Sequence, residues 1–195
     1  MRVATAFGIG AFGICMLASG AACADWRVEA GIAYATGIND VADHYEKNLR
    51  RAGFDVDVDV RVPVGFGAKA TYLWASDLRA DIGLGPMFFI SGDVKHFEIP
   101  ISGTLGYSFL PGNTFSPYVR AGVVYHYVDG DQYSSTSPGL LAAVGVELTH
   151  ITFEVATDRS EVEFDALACS APNACRLTKE KLHTYDIIAS VFYRF

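Results

Sequence analysis

The stretch His150-Ile151-Thr152-Phe153-Glu154 sets an imidazole, a hydroxyl and a carboxylate at alternate positions. Alternate side chains of an extended strand share a face, so the three offer a base, a nucleophile and an orienting acid for acyl hydrolysis. That chemistry requires the imidazole within hydrogen-bond reach of the hydroxyl. A second constellation, Asp129-Gly130-Asp131, brings two carboxylates into one loop, short of the roughly six to eight oxygens a bound Ca²⁺ takes. His126 in VYHYV reads as a hydrogen-bonding group rather than a metal ligand. Cys169 and Cys175 in ALACSAPNACRL are separated by five residues around a Pro-Asn turn signal. With no second cysteine pair and no His at ligand spacing, a disulfide closing a surface loop is the expectation, and a metal site is not. Nothing in these patterns calls for a cofactor.

Such groups act only where the chain positions them, and the dominant pattern is an alternation of period two. In FDVDVDVRVPV, residues 54–64, Phe54, Val56, Val58, Val60, Val62 and Val64 fall on one face of a strand and Asp55, Asp57, Asp59 and Arg61 on the other. The apolar series continues through Phe66, Ala68, Ala70, Tyr72 and Trp74, which predicts one long strand bent around Pro63, Gly65 and Gly67. Seven further alternating stretches, 26–34, 80–88, 97–109, 119–127, 140–148, 151–155 and 185–195, give eight strands in all. Their connections near Ser76, at 110–116 and at Thr149 are short. Those at 37–53, 128–139 and 160–183 are long, and 90–95 is intermediate. In the first long connection Val41, Tyr45 and Leu49 stand at helical spacing beside Lys47, Arg50 and Arg51. This is either a solvated loop or a short amphipathic turn resting near anionic lipid.

The polar faces decide which side the apolar residues meet. They mix small residues with isolated charges, as in Asp81-x-Gly83-x-Gly85 and Arg120-x-Gly122-x-Val124. That mixture suits the inside of a narrow cylinder, where eight strands leave room for side chains alone. The apolar faces carry Trp26, Trp74, Tyr107, Tyr127, Tyr185 and Phe195 near strand ends, as interfacial aromatic girdles do. Hydrocarbon outside and charge inside is therefore expected. The inward charges are Arg27, Glu29, Arg61, Lys69, Asp81, Glu98, Arg120, Glu147, Glu154, Asp186 and Arg194. Both signs occur on neighbouring strands, so a charge-paired plug is the leading expectation and a narrow path for ions or small solutes the alternative.

Composition agrees. Of 195 residues 19 % are charged, below the roughly 25 % of soluble domains. The net charge of -7 provides no basic stripe for nucleic acid. Residues 1–24 combine Arg2, an uncharged Ala- and Gly-rich stretch and the ending Ala22-Cys23-Ala24, the pattern of a signal peptide cut before Asp25. The domain expected to follow is 25–195.

IPISGTLGYSF, FSPYVRAGVVYHY and the final YDIIASVFYRF resemble the small eight-stranded outer-membrane barrels of Gram-negative bacteria, of the opacity-protein and OmpA-transmembrane-domain type. The resemblance implies an all-β, antiparallel up-and-down transmembrane barrel, with termini and short turns in the periplasm and long loops outside. It also implies that Tyr193 and Phe195 are the signal read by the barrel-assembly machinery, and that outer-membrane lipid and lipopolysaccharide are the surroundings. Its motifs transfer no catalytic residue. Lipid A deacylases are also eight-stranded barrels with a His-x-Ser pair. Here Thr152 stands for Ser and shares the lumen face, which leaves hydrolysis the remotest alternative. The expected role is structural or surface recognition through the loops, with the extracellular ligand unspecified.

Overall fold

A computed structural model of the chain describes residues 25–51, 53–55, 57–58, 64–85, 87–91, 94–130, 133–169 and 175–195. Nine strand segments are found among them: β1 (Asp25–Ala35), β2 (Val64–Leu73), β3 (Leu78–Leu84), β4 (Met87–Ser91), β5 (Val94–Ser108), β6 (Ser116–Gly130), β7 (Tyr133–Glu147), β8 (Ile151–Cys169) and β9 (Cys175–Arg194). β3 and β4 both pair with β2 and with β5, in unchanged register, and so form one stave. β1 closes the ring against β9, from Glu29↔Arg194 to Ala35↔Ile188. The result is a closed, eight-staved antiparallel barrel. Closure leaves the wall no free sheet edge, which is what lets a sheet stand in hydrocarbon.

A Cβ on Gly122 would collide with the Gly103 carbonyl of the adjacent β5, so only glycine fits. The short connections close tightly: Asp77 and Leu110 adopt φ of 65° and 56°, the left-handed conformation that reverses a chain in few residues. Asp25, the first described residue, and Phe195 both lie at this short-turn end, where Asp25 pairs with Leu73 and the Phe195 amide donates to the Val28 carbonyl at 3.1 Å.

The outer surface is apolar. Val28, Phe66, Ile82, Leu105, Val123, Val144 and Val155 are exposed on seven consecutive staves. Trp26, Trp74, Tyr107 and Tyr193 ring the short-turn end, and Tyr34, Tyr125, Tyr127 and Tyr185 the other. No helix among the described residues is long and apolar enough to cross a membrane.

Three features differ from the sequence reading. First, strand β2 begins at Val64, not at Phe54. Phe54, Asp55, Asp57 and Val58 lie in no strand; Asp55 and Asp57 are exposed rather than inward, and Val58 is buried rather than lipid-facing. Alternation satisfied the strand pattern here without a partner strand to pair with. Val56, Val60, Arg61, Val62 and Pro63 lie outside the described residues. Second, residues 37–51 form a full helix, α1 (Gly37–Arg51), instead of a loop or short turn. Its Val41, Ala42 and Tyr45 pack with Ala35, Val58, Met87 and Val128 in one buried cluster, so the helix lies across the barrel mouth. Third, the connections over 128–139 and 160–183 are largely strand. β8 and β9 continue as a two-stranded ribbon from Ser160↔Thr184 to Cys169↔Cys175, beyond the last β7 pair at Leu140↔Arg159.

Candidate functional site

Period-two alternation sends every second residue of each stave inward, and the closed register decides which of them meet. Near the short-turn end they form a continuous lattice of charge. Arg79, fully buried, binds Asp81 through Nη2 at 2.6 Å and Glu147 through Nη1 at 2.9 Å, and its guanidinium lies 3.8 Å over the Tyr118 ring. Glu147 also meets Arg27 at 2.5 Å and Arg194 at 3.0 Å. Arg194 continues to Glu29 at 3.1 Å, and Glu29 to Lys69 at 3.1 Å. Lys69 reaches Glu154 at 3.3 Å, while Arg120 holds Glu154 with a fork of bonds at 2.9 and 2.7 Å. Tyr118 donates to the same carboxylate at 2.6 Å, and Thr71 to Asp81 at 2.5 Å.

Above the lattice lies a layer without charge: Val124, Leu141, Ala143 and Ala156, with Ile188 against them. Above that again sits a second polar cluster. His126 bonds through Nδ1 to Glu98 and stands 2.8 Å through Nε2 from Asp158; His96 lies 3.4 Å from Glu98. Asp186 completes the cluster, buried beneath the first turn of α1, where the Gly37 amide bonds its carboxylate. A helix N-terminus carries partial positive charge, so this end of α1 and the carboxylate stabilise each other. The edge of the His96 ring meets Tyr45 of α1, centroids 6.4 Å apart. The interior is thus layered, with charge at the bottom, hydrocarbon in the middle, a histidine–carboxylate cluster higher up and a helix across the top.

Of the charged residues singled out from the sequence, Arg27, Glu29, Lys69, Asp81, Arg120, Glu147, Glu154 and Arg194 stand in the lower lattice, and Glu98 and Asp186 in the upper cluster. Arg61 lies outside the described residues. Sequence reading passed over Arg79, Asp158 and His96. Arg79 shares the parity of Asp81 in LRADIGLG, but it precedes Ala80, where the apolar alternation of that stretch begins. Asp158 was hidden because the alternation after Val155 is broken by the polar run TDRSE.

The hydrolase constellation is not assembled. Thr152 is fully buried and its Oγ1 donates to Glu29 at 2.6 Å, whereas His150 is exposed at the turn and stacks on the outward Tyr193, centroids 6.1 Å apart. His150 therefore does not share the lumen face with Thr152 and Glu154, as alternation alone suggested, because the strand starts only at Ile151. Among the described residues no three His, Cys, Asp or Glu side chains are arranged to hold a metal ion. Cys169 and Cys175 are opposed in the backbone register at the tip of the ribbon; their side chains lie outside the described residues. Tyr193 and Phe195 are exposed on the outer face at the short-turn end, rings 5.4 Å apart.

Solved structures similar to the chain include Neisserial surface protein A, with 14 % identity, 89 % of this chain and 100 % of that one covered and a TM-score of 0.48. Ail, the attachment invasion locus protein of Yersinia pestis, solved with the heparin analogue sucrose octasulfate, gives 13 %, 88 % and 99 %, and 0.47. The outer membrane protein AlkL, solved in lipid bilayers, gives 14 %, 92 % and 93 %, and 0.49. No curated protein matches the chain. The family described as outer membrane protein beta-barrel domain matches residues 7–195, nearly the whole sequence. With its closed eight-staved wall, apolar outside and charged inside, the chain belongs to that family and resides in the bacterial outer membrane.

Proposed function

We propose that the protein is a structural and surface-recognition barrel, whose task is carried by what stands above the wall and not by passage through it. The observation that supports this most is the β8–β9 ribbon, ten residue pairs that continue from Ser160↔Thr184 to Cys169↔Cys175. At about 3.3 Å per residue it projects on the order of 30 Å. In the backbone register Glu161 opposes His183, Glu163 opposes Lys181 and Asp165 opposes Lys179, acidic positions against basic ones, a pairing pattern that favours a hairpin. Lys181 lies 2.5 Å from Glu161 and holds that carboxyl below its ordinary range. A disulfide between Cys169 and Cys175 would staple the tip.

In the family's usual orientation the short turns and both termini face the periplasm, which places the ribbon and α1 outside. Exposed Lys47, Arg50 and Arg51 of α1 then stand near the anionic headgroups of lipopolysaccharide. Tyr193 and Phe195 face the side from which the barrel-assembly machinery would read them. Residues 1–24 act as the leader and are removed. The paired lattice argues against the narrow-pore reading, since Arg27, Lys69, Arg79, Arg120 and Arg194 each reach a carboxylate on a non-neighbouring stave.

The test uses the refolded protein and intact cells. In planar bilayers no discrete channels should appear; regular single-channel steps would overturn the reading in favour of a pore. Antibodies raised against the folded protein should label intact expressing cells. Exchange of 160–184 for a two-residue Asn-Gly turn should cut that labelling several-fold while the barrel stays heat-modifiable on gels. Undiminished labelling would show that the ribbon is not the presented surface.

A further inference from the structure

Four alternate residues of β8 rise in one column on the outer wall, Phe153, Val155, Thr157 and Arg159, all exposed. The lower half of the column lies in an open groove of about 440 Å³ on the face of β7, β8 and β9, walled by Val144, Val146, Phe153, Val155, Ala189 and Val191. Ala189 opposes Val155, and in the next row Ala142 opposes Thr157. These small side chains keep the surface low on the way up to Arg159.

The column ends in a charge. Arg159 shares the lipid-facing parity of the apolar residues below it, and among the described residues no carboxylate meets it. Its guanidinium lies 5.3 Å over the ring of Tyr185, the residue opposite it in register. Such stacking fixes the plane of the cation and leaves its N–H edge free to donate. The next acidic residue on that parity, Glu161, is taken by Lys181 at 2.5 Å and faced by His183 at 3.6 Å. From Phe153 to Arg159 the strand climbs about 20 Å at roughly 3.3 Å per residue. At a tilt of about 40° that is about 15 Å of depth, half of a hydrocarbon layer of roughly 30 Å. Arg159 therefore stands among the tyrosines of the upper girdle, at headgroup level, while the groove lies in the hydrocarbon of the same leaflet. A cation held there without a carboxylate from its own chain takes its counter-charge from the membrane.

We propose that this face of β7, β8 and β9 is a binding site for one phosphate-bearing lipid of the leaflet on the ribbon side, with a phosphate on Arg159 and one acyl chain lying in the groove. The planar guanidinium matches two phosphate oxygens in a charge-assisted pair. The charge supplies the preference, because a chain that leaves bulk lipid for the groove exchanges one apolar surface for another. The groove supplies the position, through dispersion contacts along its walls. With the ribbon outside, the orientation proposed above and the one on which this choice of leaflet rests, the occupant is lipid A of the outer leaflet.

The full-length mature protein is refolded into phosphatidylcholine nanodiscs that carry lipid A in both leaflets, and the lipids it retains on release are counted by native mass spectrometry. With lipid A in both leaflets the result does not depend on which end of the barrel faces outward, which antibody labelling of the ribbon on cells tests separately. Expected is one lipid A retained per barrel in preference to phosphatidylcholine. Arg159→Gln, which removes the charge, and Ala189→Phe, which fills the groove, should each cut that retention at least fivefold while the barrel stays heat-modifiable on gels. Lipid A stripped of its phosphates should be retained by the unaltered protein no better than phosphatidylcholine. Undiminished retention in either folded variant would overturn the proposal. So would equal retention of the dephosphorylated lipid, a result that needs no variant to fold.

Discussion

Glu154 shows how a single buried carboxylate is tied to its neighbours. Arg120 grips it with two bonds, Lys69 and Tyr118 complete the shell, and its side chain is almost wholly withdrawn from water. Glu154→Gln keeps the shape and removes the charge, leaving Arg120 without its carboxylate and Lys69 with Glu29 alone. The expected cost is about 3–5 kcal/mol, seen as a lower urea midpoint for unfolding from vesicles and a lower gel-shift temperature. A double variant, Glu154→Leu with Arg120→Leu, should recover part of the loss, since it removes both charges together. Legibility at this scale was uneven. Alternation placed Lys69, Arg120 and Glu154 on the polar parity of three different staves, but that Glu154 accepts from both cations follows from the closed register.

At the scale of elements, α1 departs furthest from a simple barrel. Val41, Tyr45 and Leu49 recur at the helical period, and the sequence displays that amphipathic spacing plainly. It does not display what the apolar stripe packs on. The stripe covers Val58 and Met87 at the barrel mouth, so residues of the chain just after the helix are drawn under it and withheld from β2. The helix is fastened at its start, where Gly37 lies so near Asp186 that a Cβ would overlap the carboxylate. Gly37→Ala should push the carboxylate from the helix N-terminus and loosen the cap. Amide exchange of residues 39–51 is expected to accelerate at least tenfold while amides of β5 to β8 keep their protection. Equal protection in both proteins would show that the apolar stripe alone holds α1.

For the whole molecule the decisive property is the inverted solvent arrangement, with hydrocarbon around the cylinder and ionised groups within. Nitroxide labels at Ile101 and Val144, both exposed on the outer wall, should be accessible to oxygen and shielded from aqueous nickel reagents in vesicles. A label at Asp57, exposed above the wall, should show the reverse. Wall labels open to nickel and closed to oxygen would mean the protein is not a membrane barrel at all.

The sequence by itself determined the faces. A strand's period of two is a local property of the backbone, so Ile101, Leu105, Val119, Val123, Leu140 and Val144 were assigned to one surface and Gly106, Arg120, Gly122, Gly145 and Glu147 to the other before any pairing was known. It also determined the short turns, whose chemistry is carried within a few residues. The tertiary structure alone decided that Phe54, Asp55, Asp57 and Val58 lie in no strand, that Arg79 and Asp158 join the interior, that α1 crosses the mouth and that β8 and β9 outrun their neighbours. Each of these depends on a partner far away along the chain. A strand exists only where another strand accepts its hydrogen bonds, and a buried charge persists only where an opposite one meets it across the lumen.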